Sequence, residues 1–481
     1  MASLTSSLLA ASQALDAYTQ ALGVVQNNVA NASTPDYAAQ TQTFDPLQFD
    51  PAQGFSGGVV AGQIVSSRDE YAEQAVQQQT TILGQAQQDV NSLTSMQSQF
   101  DITGSSGISA AFNSLFSAFS SWGQAPDSSV AQQNVIEQAT TVANAFQQTA
   151  TGLQTVAQDT QQQLQSTVDN VNQLATQLAG FNQQIMNGDQ NDAGLDAQIH
   201  TTLDQLSNDG SFSATQQPDG TWTVVLNGQT PLVTQNQVYA LSPGKVPPSL
   251  TSANPIGPSH LSVLASDGTD ITADTTSGQL GSLLNLANDV LPGYLGDGTQ
   301  PGSLNTLAQS FASNVNNLLT SGYQSSGPPP AAGVPLFTYD TTNATGVAQT
   351  LQVSSTITPS QLAAISPGPP EVSNGVPLAL SQLADPTSAS DEIGGLSYTQ
   401  YYAGMASNVG TLLDNATASL QTAQGAVAQA QNVRQQISGV SLDQEATLLI
   451  QFQQAYEANS KLVNVLDQLT EDAINMLPTS S

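Results

Sequence analysis

Few residues of this sequence have the types and spacing that chemistry requires. The chain contains two histidines, His200 and His260, which lie far apart with no further ligand at a metal-binding spacing, and it contains no cysteine. The stretch NDAGLD around Asp192 resembles part of a calcium-binding loop but lacks the regular ligand spacing, so we expect a helix cap and a turn there. No nucleophile motif of the GxSxG type and no phosphate-binding glycine loop occurs. The scattered carboxylates single out no acid–base pair, although a glycosidase-type pair stays open. We therefore expect no catalytic residue, no metal site and no cofactor, and a protein that is not an enzyme.

The charge balance limits the possible partners. Only 8% of the 481 residues are charged, against about 25% in ordinary soluble proteins. Lys and Arg total 4 and Asp and Glu total 36, which gives a formal net charge of −32 at pH 7. Four basic residues are too few to neutralise a nucleic-acid backbone or to hold an anionic membrane surface. We therefore expect no nucleic-acid partner and no membrane insertion.

The sequence carries no obvious targeting or membrane segment. No apolar run approaches the roughly 18 residues that a membrane-spanning helix needs. The first residues lack the basic and then apolar pattern of a secretory signal. A chain poor in lysine, arginine and cysteine nevertheless resembles an extracellular polymer subunit, so export by a signal-independent route stays open.

Both ends of the chain are predicted to be helices with an apolar seam. From about Ser3 to Val29, apolar or small residues recur at spacings of four and three, which is typical of a coiled coil. The polar segment around Pro35 ends this helix. At the other end, Ser441 and Gln444 form a predicted capping box. A second seam follows it, before Pro478, along Leu448, Phe452, Ala455, Asn459, Leu462, Leu466, Leu469, Ala473 and Met476. We expect the two ends to pair with each other.

Two further long helices are predicted in the body of the chain. The longer one runs from an N-cap at Asp127 to Gly188, and about 60 helical residues would span about 90 Å. Its apolar repeat shifts phase near Thr160, which predicts one stutter in the packing. The other long helix runs from Ser397 to about Ile437. Helices of this length indicate a rod.

Two non-helical blocks interrupt the helices. Residues 211–264 contain TWTVVLNG and PLVTQNQVYAL, whose alternation and turn residues predict a small sheet. Residues 328–386 are rich in Pro, Gly, Ser and Thr, and LFTYD and TLQVSS predict strands of a second β module. A shorter helical pair is predicted over 278–290 and 304–319.

These elements predict a fold that is mainly α with β insertions. The molecule would be an elongated multi-domain subunit with paired N- and C-terminal coiled-coil helices, a rod of long helices and small β-rich outer domains. We expect four domains: a terminal helical domain for assembly (1–50 with 437–481), a long-helix rod domain (51–210 with 278–325 and 395–436), a small β insertion (211–277) and a β-rich outer domain (326–394).

Motifs at both ends resemble a known family. The first helix is followed by NVANASTPDY, from Asn28 to Tyr37, and the last one is framed by SGVSLD, from Ser438, by QQAY, from Gln453, and by ANSK, from Ala458. These motifs resemble the common beginning and end of bacterial flagellar axial proteins. Between them, SFSATQQPDGTWTVVLNGQTPLV, LNTLAQSFASNVNNLL and VRQQISGVSLDQEA resemble segments of the axial subunits that join the hook to the filament. The resemblance covers nearly the whole chain, and it is weaker in the Pro-rich block.

The resemblance implies a structural subunit of the flagellum that forms the hook–filament junction. Such a subunit passes unfolded through the type III export apparatus with the help of an export chaperone and folds on assembly at the tip of the hook. It self-associates in a helical layer, with the hook protein on one side and a second junction protein on the other. Its place is extracellular, in the flagellum that drives motility, after a transient cytoplasmic stage.

The resemblance also places the assembly interface on the two ends of the chain. The N-terminal interface residues are Leu4, Leu8, Leu15, Leu22, Val25, Asn28, Asn31, Pro35 and Tyr37. The C-terminal ones are Leu442, Leu448, Phe452, Tyr456, Asn459, Leu462, Leu466 and Leu469. Isolated amphipathic helices are marginal in water. We therefore expect about Met1–Val29 and Leu442–Met476 to be poorly ordered in the free monomer and to order on assembly.

The chain departs from the family pattern at its charged positions. Asp36 follows the proline where the family usually has glycine, and aspartate tolerates a left-handed backbone better than most residues. Ala39 stands where an arginine is common, and residues 195–206 lack the family's basic residues. Arg434, before the Ser-Gly-Val turn, is kept, and we expect it to be structural.

Two alternatives stay open at this point. A hook or distal rod protein would share both ends but usually has a smaller helical body. A secreted adhesin-like structural protein could also combine helical rods and β lobes, but it leaves the paired terminal motifs unexplained.

The acidity suggests a dependence on pH. Packing many carboxylates together raises their pKa values, because each negative charge disfavours the next. We expect assembly to be more stable near pH 4 than at pH 7.

Overall fold

The computed structural model describes residues 2–50, 55–101, 106–189, 192–246, 258–327 and 329–475. It confirms a mainly α fold with β insertions. The helices are α1 (Ala2–Asn31), α2 (Glu70–Gln97), α3 (Gly107–Gln124), α4 (Ser129–Asn187), α5 (Ala193–Asp209), α6 (Gly278–Asn285), α7 (Leu291–Leu295), α8 (Ser303–Thr320), α9 (Val347–Thr350), α10 (Gly375–Gln382), α11 (Tyr398–Ser438) and α12 (Leu442–Asn475). The predicted end of the last helix, at Met476 and Pro478, lies outside the described residues.

The strands are short and form small antiparallel sheets. The longest pair is a hairpin of β1 (Gln40–Asp50) and β2 (Phe55–Ser66), which packs against α1. The other strands are β3 (Phe212–Gln216), β4 (Trp222–Leu226), β5 (Thr230–Thr234), β6 (Gln237–Val238), β7 (Ser242–Val246), β8 (His260–Leu264), β9 (Tyr323–Ser325), β10 (Ala331–Ala332), β11 (Phe337–Thr338) and β12 (Gln352–Val353). The small sheet predicted after residue 211 is present as the four strands β3-β4-β5-β6, with β7 and β8 paired beside it.

The two ends of the chain pair as predicted. Helix α1 packs along α12, and an aromatic group joins both helices to the hairpin. The Phe44 ring on β1 lies 5.6 Å from the Tyr18 ring on α1 and 5.7 Å from the Phe452 ring on α12. Ring pairs at such distances add to the burial of apolar area. The pairing is therefore a three-element contact, with the hairpin as its third member.

Helix α4 is the spine of the body and crosses two hydrophobic cores. The first core joins α4 from Val135 to Val156 with α3, α8 and the beginning of α11, and its centre is aromatic: Phe112, Phe146, Phe311 and Tyr398. The second core joins α4 from Leu164 to Ile185 with α5, α6 and the sheet of β4 and β5. The predicted stutter is present, because Val156, buried Thr160 and Leu164 follow one another at two spacings of four.

The Pro-rich block is mostly irregular. Its predicted strands exist as β11 and β12, but these pair over only two residues each. Proline and glycine at this density remove ladder donors and weaken strands, which explains their shortness. The apolar side chains of the block, among them Leu336, Leu351 and Leu362, belong to the first core rather than to a core of their own.

Helix ends differ in detail from expectation. The N-cap of α4 is Ser128, whose side chain accepts a hydrogen bond from the Ala131 N–H, and the predicted N-cap at Asp127 is wrong by one residue. Gly188 ends the helix with a φ of 122°, as expected of a glycine there. Asp192 caps α5 by accepting from the N–H groups of Gly194 and Leu195, which confirms the predicted cap and turn.

Helix α2 packs closely against the end of α5, and this contact yields a test. A Cβ added at Gly84 would lie 2.1 Å from the Asn208 carbonyl oxygen, whereas one added at Gly180 on α4 would meet nothing within 4 Å. We expect Gly84→Ala to lower the free energy of unfolding by about 1–3 kcal/mol, because the backbones must separate. The control Gly180→Ala should raise it by about 0.5–1 kcal/mol, because alanine favours the helix. Urea unfolding measures both, and equal effects at the two sites would contradict the close contact.

Candidate assembly interface

The predicted interface residues of α12 are covered to different degrees. Leu448, Phe452, Asn459 and Leu466 are half-buried, on the side of the helix that also carries half-buried Val463. Four others are exposed: Leu442, Tyr456, Leu462 and Leu469. The predicted seam is therefore only partly covered within the single chain. Leu462 and Leu469, at 48% and 50% exposed, leave apolar surface to solvent.

The α1 helix buries small residues instead of the predicted large ones. Its buried apolar positions are Ala11, Ala14, Ala17, Ala21, Val24 and Val25. Among the predicted interface residues, Leu4, Leu8, Leu15 and Leu22 are only half-buried. Small residues let helices and hairpin approach closely, as where a Cβ added at Gly58 would lie 3.2 Å from the Ala10 Cβ. Val25 alone among the predicted apolar residues of α1 is fully buried.

The exposed apolar residues continue along α12. Besides the four named, Ile450 and Val465 are about half exposed, and Leu9 on α1 is 61% exposed. Leu462, Val465 and Leu469, spaced by three and four residues, fall on one strip of the helix, and an exposed apolar strip of this kind marks a site of association. What this surface offers chemically is burial against another apolar helix face.

Asn28 fixes the base of the terminal pair. Its Nδ2 donates to Glu445 Oε1 on α12 (2.9 Å) and to the Gln40 carbonyl (2.8 Å). Its Oδ1 accepts from the Tyr37 hydroxyl (3.0 Å) and from the Gln40 N–H (3.0 Å). One buried amide therefore ties together α1, the following turn, the start of β1 and α12. Burial raises the pKa of Glu445, and the hydrogen bond from Asn28 opposes that shift.

Two other predicted residues have only local roles. Asn31 donates to the Asn27 carbonyl and accepts from Thr34, so it caps the end of α1. Pro35 is exposed in the turn, and Tyr37, next but one, is buried against α5. The structure thus brings Asn28 and Tyr37 together and leaves Asn31 and Pro35 outside that contact.

Two arginines hold the turn, the body helices and the end of α11 together. We call Arg68, Arg434, Asp36, Glu73, Asp196 and Asp204 the ion cluster. Arg68 pairs with Glu73 (2.5 Å) and Asp196 (2.8 Å), and Arg434 pairs with Asp36 (2.5 Å), Asp204 (2.9 Å) and Glu73 (3.0 Å). Glu73 on α2 thus binds both guanidinium groups. All these side chains except that of Asp196 are at least four-fifths buried.

Asp36 serves the ion cluster with both its side chain and its backbone. Its φ is +58°, so the left-handed turn forms with aspartate in place of glycine. Its carbonyl accepts from Arg68 Nη2 (2.7 Å), and its Oδ2 accepts from the Thr201 hydroxyl (2.7 Å). The strain of that backbone conformation is offset by an ion pair that glycine could not make.

His200 lies against the ion cluster but does not join it as a cation. Its Nδ1 lies 3.7 Å from Glu73 Oε2 and its Nε2 3.7 Å from Asp196 Oδ1, too far for hydrogen bonds. Burial and the charges of Arg68 and Arg434 hold the pKa of His200 well below its usual range. The imidazole is therefore neutral at pH 7, and its ring stands edge-on to Trp222 at 5.2 Å.

Asp204 carries an unusual proton affinity. Burial raises its pKa to about 6, against the lowering effect of Arg434, and the charges of Asp36 and Glu73 add to the rise. Asp209 on the same helix also has a pKa raised to about 6 by burial, although Asn170 donates a hydrogen bond to it. Both carboxyls bind protons more tightly in the folded chain than in the unfolded one.

An open cleft of about 990 Å³ lies beside the ion cluster, between the 32–38 turn, α5 and the end of α11. The members of the ion cluster that line it are paired with one another, and Asp209, which also lines it, accepts a hydrogen bond from Asn170. Within the residues that the structure describes, no three His, Asp or Glu side chains are placed to hold a metal ion. None of the helices in the described ranges is long and apolar enough to cross a membrane.

The sequence reasoning identified part of this site. It predicted a structural role for Arg434 and the turn at Asp36, and both are confirmed. It missed Arg68, Glu73 and Asp204, which are dispersed over three segments. One signal was available: because the chain has only four basic residues and 36 acidic ones, each arginine can be expected to pair with more than one carboxylate.

Removing one arginine tests the strength of the ion cluster. Arg434→Met leaves Asp36, Glu73 and Asp204 with one cation fewer, and breaking a buried pair in this way costs about 3–5 kcal/mol. We expect that loss in the free energy of urea unfolding. The exposed Lys461 on α12 supplies the control, and Lys461→Met should change stability by less than about 0.5 kcal/mol. A similar small effect at Arg434 would show that the cluster contributes little.

Asp204→Asn tests the raised pKa. The unfolded carboxyl loses its proton near pH 3.8 and the folded one near pH 6, so rising pH between these values favours the unfolded wild-type chain. Asparagine mimics the protonated acid and removes this dependence. Relative to wild type, the variant should gain about 1–3 kcal/mol between pH 4 and pH 7.

The control for that experiment is an exposed carboxyl whose pKa is shifted in the opposite direction. Hydrogen bonds from Thr269 lower the pKa of Asp267. Asp267→Asn should therefore show no gain on going to pH 7. Parallel pH profiles of wild type and Asp204→Asn would contradict the raised pKa.

Comparison with known proteins gives this architecture a family. A family model described as the flagellar hook-associated protein FlgK helical domain matches residues 93–337, and one described as the flagellar basal body rod FlgEFG protein C-terminal matches residues 434–476. Flagellar hook-associated protein 1 of Bacillus subtilis strain 168 is 27% identical over 97% of each chain. The protein of that name from Escherichia coli strain K12 is 24% identical over 96% of this chain and 98% of its own.

A solved structure shares the fold. The flagellar hook junction protein FlgK from Burkholderia pseudomallei superposes with a TM-score of 0.63 at 16% identity, over 76% of this chain and all of that chain. The first family model spans half of the chain, including α3, α4, the sheet, the whole second hydrophobic core and part of the first. The chain therefore belongs to the flagellar hook-associated protein FlgK family.

Proposed function

We propose that this chain is a structural subunit of the bacterial flagellum that forms the junction between hook and filament. Membership of the FlgK family and the names of the relatives, hook-associated protein 1 and hook junction protein, support this function. The observation that carries the mechanism is the apolar surface left open on the paired terminal helices. Such surface is costly in a free subunit and is buried in an assembly.

The assembly mode follows from which side of α12 is open. Half-buried side chains such as Leu448 and Leu466 lie on the side packed towards α1, while Leu462 and Leu469, at the edge of that side, stay about half exposed. Neighbouring subunits would bury these side chains by packing their own terminal helices alongside. Contacts related by a rotation that does not close generate a helical layer. The hook protein would contact one side of this layer and a second junction protein the other.

The charge distribution suits packing through the terminal helices. Subunits with a net charge of −32 repel one another at pH 7. Apolar burial is independent of charge, so it supplies attraction where ion pairs between copies are scarce. Lowering the pH neutralises carboxyls, and we expect assembly to strengthen as the pH falls towards 4.

Export precedes assembly in this proposal. The chain would pass unfolded through the flagellar export apparatus, with a chaperone in the cytoplasm, and fold outside the cell. The terminal pair fits such a history, because its helices bury mostly alanines and half-bury their leucines. It should therefore be marginal in the dilute monomer and should order when neighbours cover it.

A hook or distal rod protein is the second candidate. The match of residues 434–476 to a model described as the flagellar basal body rod FlgEFG protein C-terminal favours it. The helical body, matched over 93–337 by a FlgK model, favours the junction.

Gene deletion separates the candidates. Cells without the gene should make hooks without filaments, seen by electron microscopy, and should release filament protein into the medium. Missing hooks would move the assignment to the rod or the hook. Normal filaments would refute a role in the flagellar axis.

Substitution within α12 tests the assembly surface itself. We expect Leu462→Asp combined with Leu469→Asp to reproduce the deletion phenotype, because two carboxylates would have to be buried between subunits. Val130→Asp is the matched control, since Val130 is 78% exposed on the body helix α4. This control should restore filaments to deleted cells. If the α12 double variant is secreted at the wild-type level and restores filaments to the deleted cells, the proposal that Leu462 and Leu469 are buried between subunits is contradicted.

A further inference from the structure

We propose that the helical body contains a hinge at the level of Thr160, about which the part built on the first core bends against the part built on the second core. We call this level the waist. It comprises residues 157–163 of α4, the Gln88–Ser92 stretch of α2 and the π-helical segment Leu286–Val290 that joins α6 to α7.

The two cores do not merge at the waist. On α4 the first core ends at Val156 and the second begins at Leu164. The only fully buried side chain between them is that of Thr160, whose hydroxyl donates to the Val156 carbonyl (2.7 Å). Over about two turns between the two cores, α4 therefore buries no large apolar side chain.

A second element changes core at the same level. Leu286 belongs to the first core and the next residue, Ala287, to the second. Both lie in the π-helical segment, which packs against α4. Helices kink at such segments, because the longer hydrogen-bonded loops leave the backbone less tightly wound. The change from the first core to the second therefore falls within the π-helical segment, where a helix kinks most readily.

Several contacts at the waist are polar. Gln88 on α2 donates to the Ser92 hydroxyl of the same helix (2.9 Å) and, across to α4, to Gln163 Oε1 (2.8 Å). The Ser282 hydroxyl on α6 donates to Asp89 Oδ1 (2.5 Å). Each such bond contributes about 0.5–1.5 kcal/mol net and can exchange partners with water. Polar contacts can thus re-form after a small movement, which interdigitated apolar side chains do not allow.

Packing is also incomplete at this level. A cavity of about 240 Å³ lies between α2, the π-helical segment and α11, and Ser92, Ser282 and Asn415 are among its lining residues. Leu93, Leu286 and Leu412 also line it, so the lining is mixed and the space is not filled by interdigitated side chains. The cavity provides room for α11 to approach or leave the waist when the body bends.

Hydrogen exchange of the full chain, read by mass spectrometry of overlapping peptides, tests the hinge. Opening at the waist must break helical hydrogen bonds there while both cores stay closed. We expect amides of 157–163 and 286–290 to exchange at least about tenfold faster than amides of 142–153 and 168–178 on α4. Uniform exchange along α4 would overturn the proposal.

Matched threonine variants complete the test. Thr160→Val combined with Gln88→Leu makes the waist apolar and should slow its exchange about tenfold, and Thr160→Val alone should act in the same direction. Thr202→Val is the control, because buried Thr202 makes the same bond one turn back, to the Gln198 carbonyl (2.8 Å), but on α5. It should leave the waist unchanged. Waist exchange that responds equally to Thr202→Val, or not at all to either Thr160 variant, would refute a hinge at this level.

Discussion

The rest of the structure depends on one electrostatic constraint, the pairing of Arg68 and Arg434 with four carboxylates. These arginines are two of only four basic residues in the chain. They join the turn after α1, the beginning of α2, α5 and the last turns of α11. We call this meeting point of the chain ends and the body the joint. Without the two cations, the free-energy cost of burying the carboxylates would be large enough to open the joint. The direction in which both chain ends leave the body is therefore set by charges that no other part of the chain can replace.

The molecule divides into parts with different kinds of contact. The body is held by two apolar cores strung on α4, the joint by ion pairs and the Asn28 amide, and the terminal pair by alanines and half-buried leucines. Large buried side chains therefore become fewer towards the chain ends, where assembly is proposed. In the proposed export and assembly, neighbours would complete the part of the subunit that buries the least apolar surface by itself.

The longest helices with an apolar repeat could be predicted from the sequence, but the shorter α3 was missed although large apolar residues recur along it at helical spacing. The seams of α1, α4, α11 and α12 indicated their existence and nearly their ends. Helix α2 was missed because most of its buried side chains are small or polar, and the β1–β2 hairpin because β1 contains Pro46 and shows little alternation. The ion cluster is formed by segments distant in sequence, so only Arg434 and Asp36 were identified. Which side of α12 faces α1 depends on the hairpin packing and is not encoded in the seam alone.

The central claim, that the ion cluster holds the chain ends to the body, is tested most directly by a double-mutant cycle. Asp36→Asn, Arg434→Met and their combination would be compared by the free energy of opening of segment 428–442, measured by hydrogen exchange in the full chain. Side chains that form a buried pair should be coupled by about 1–3 kcal/mol, so that the second substitution costs much less once the first is made. Effects that add to within about 0.5 kcal/mol would show that the two groups act independently, and would contradict this account.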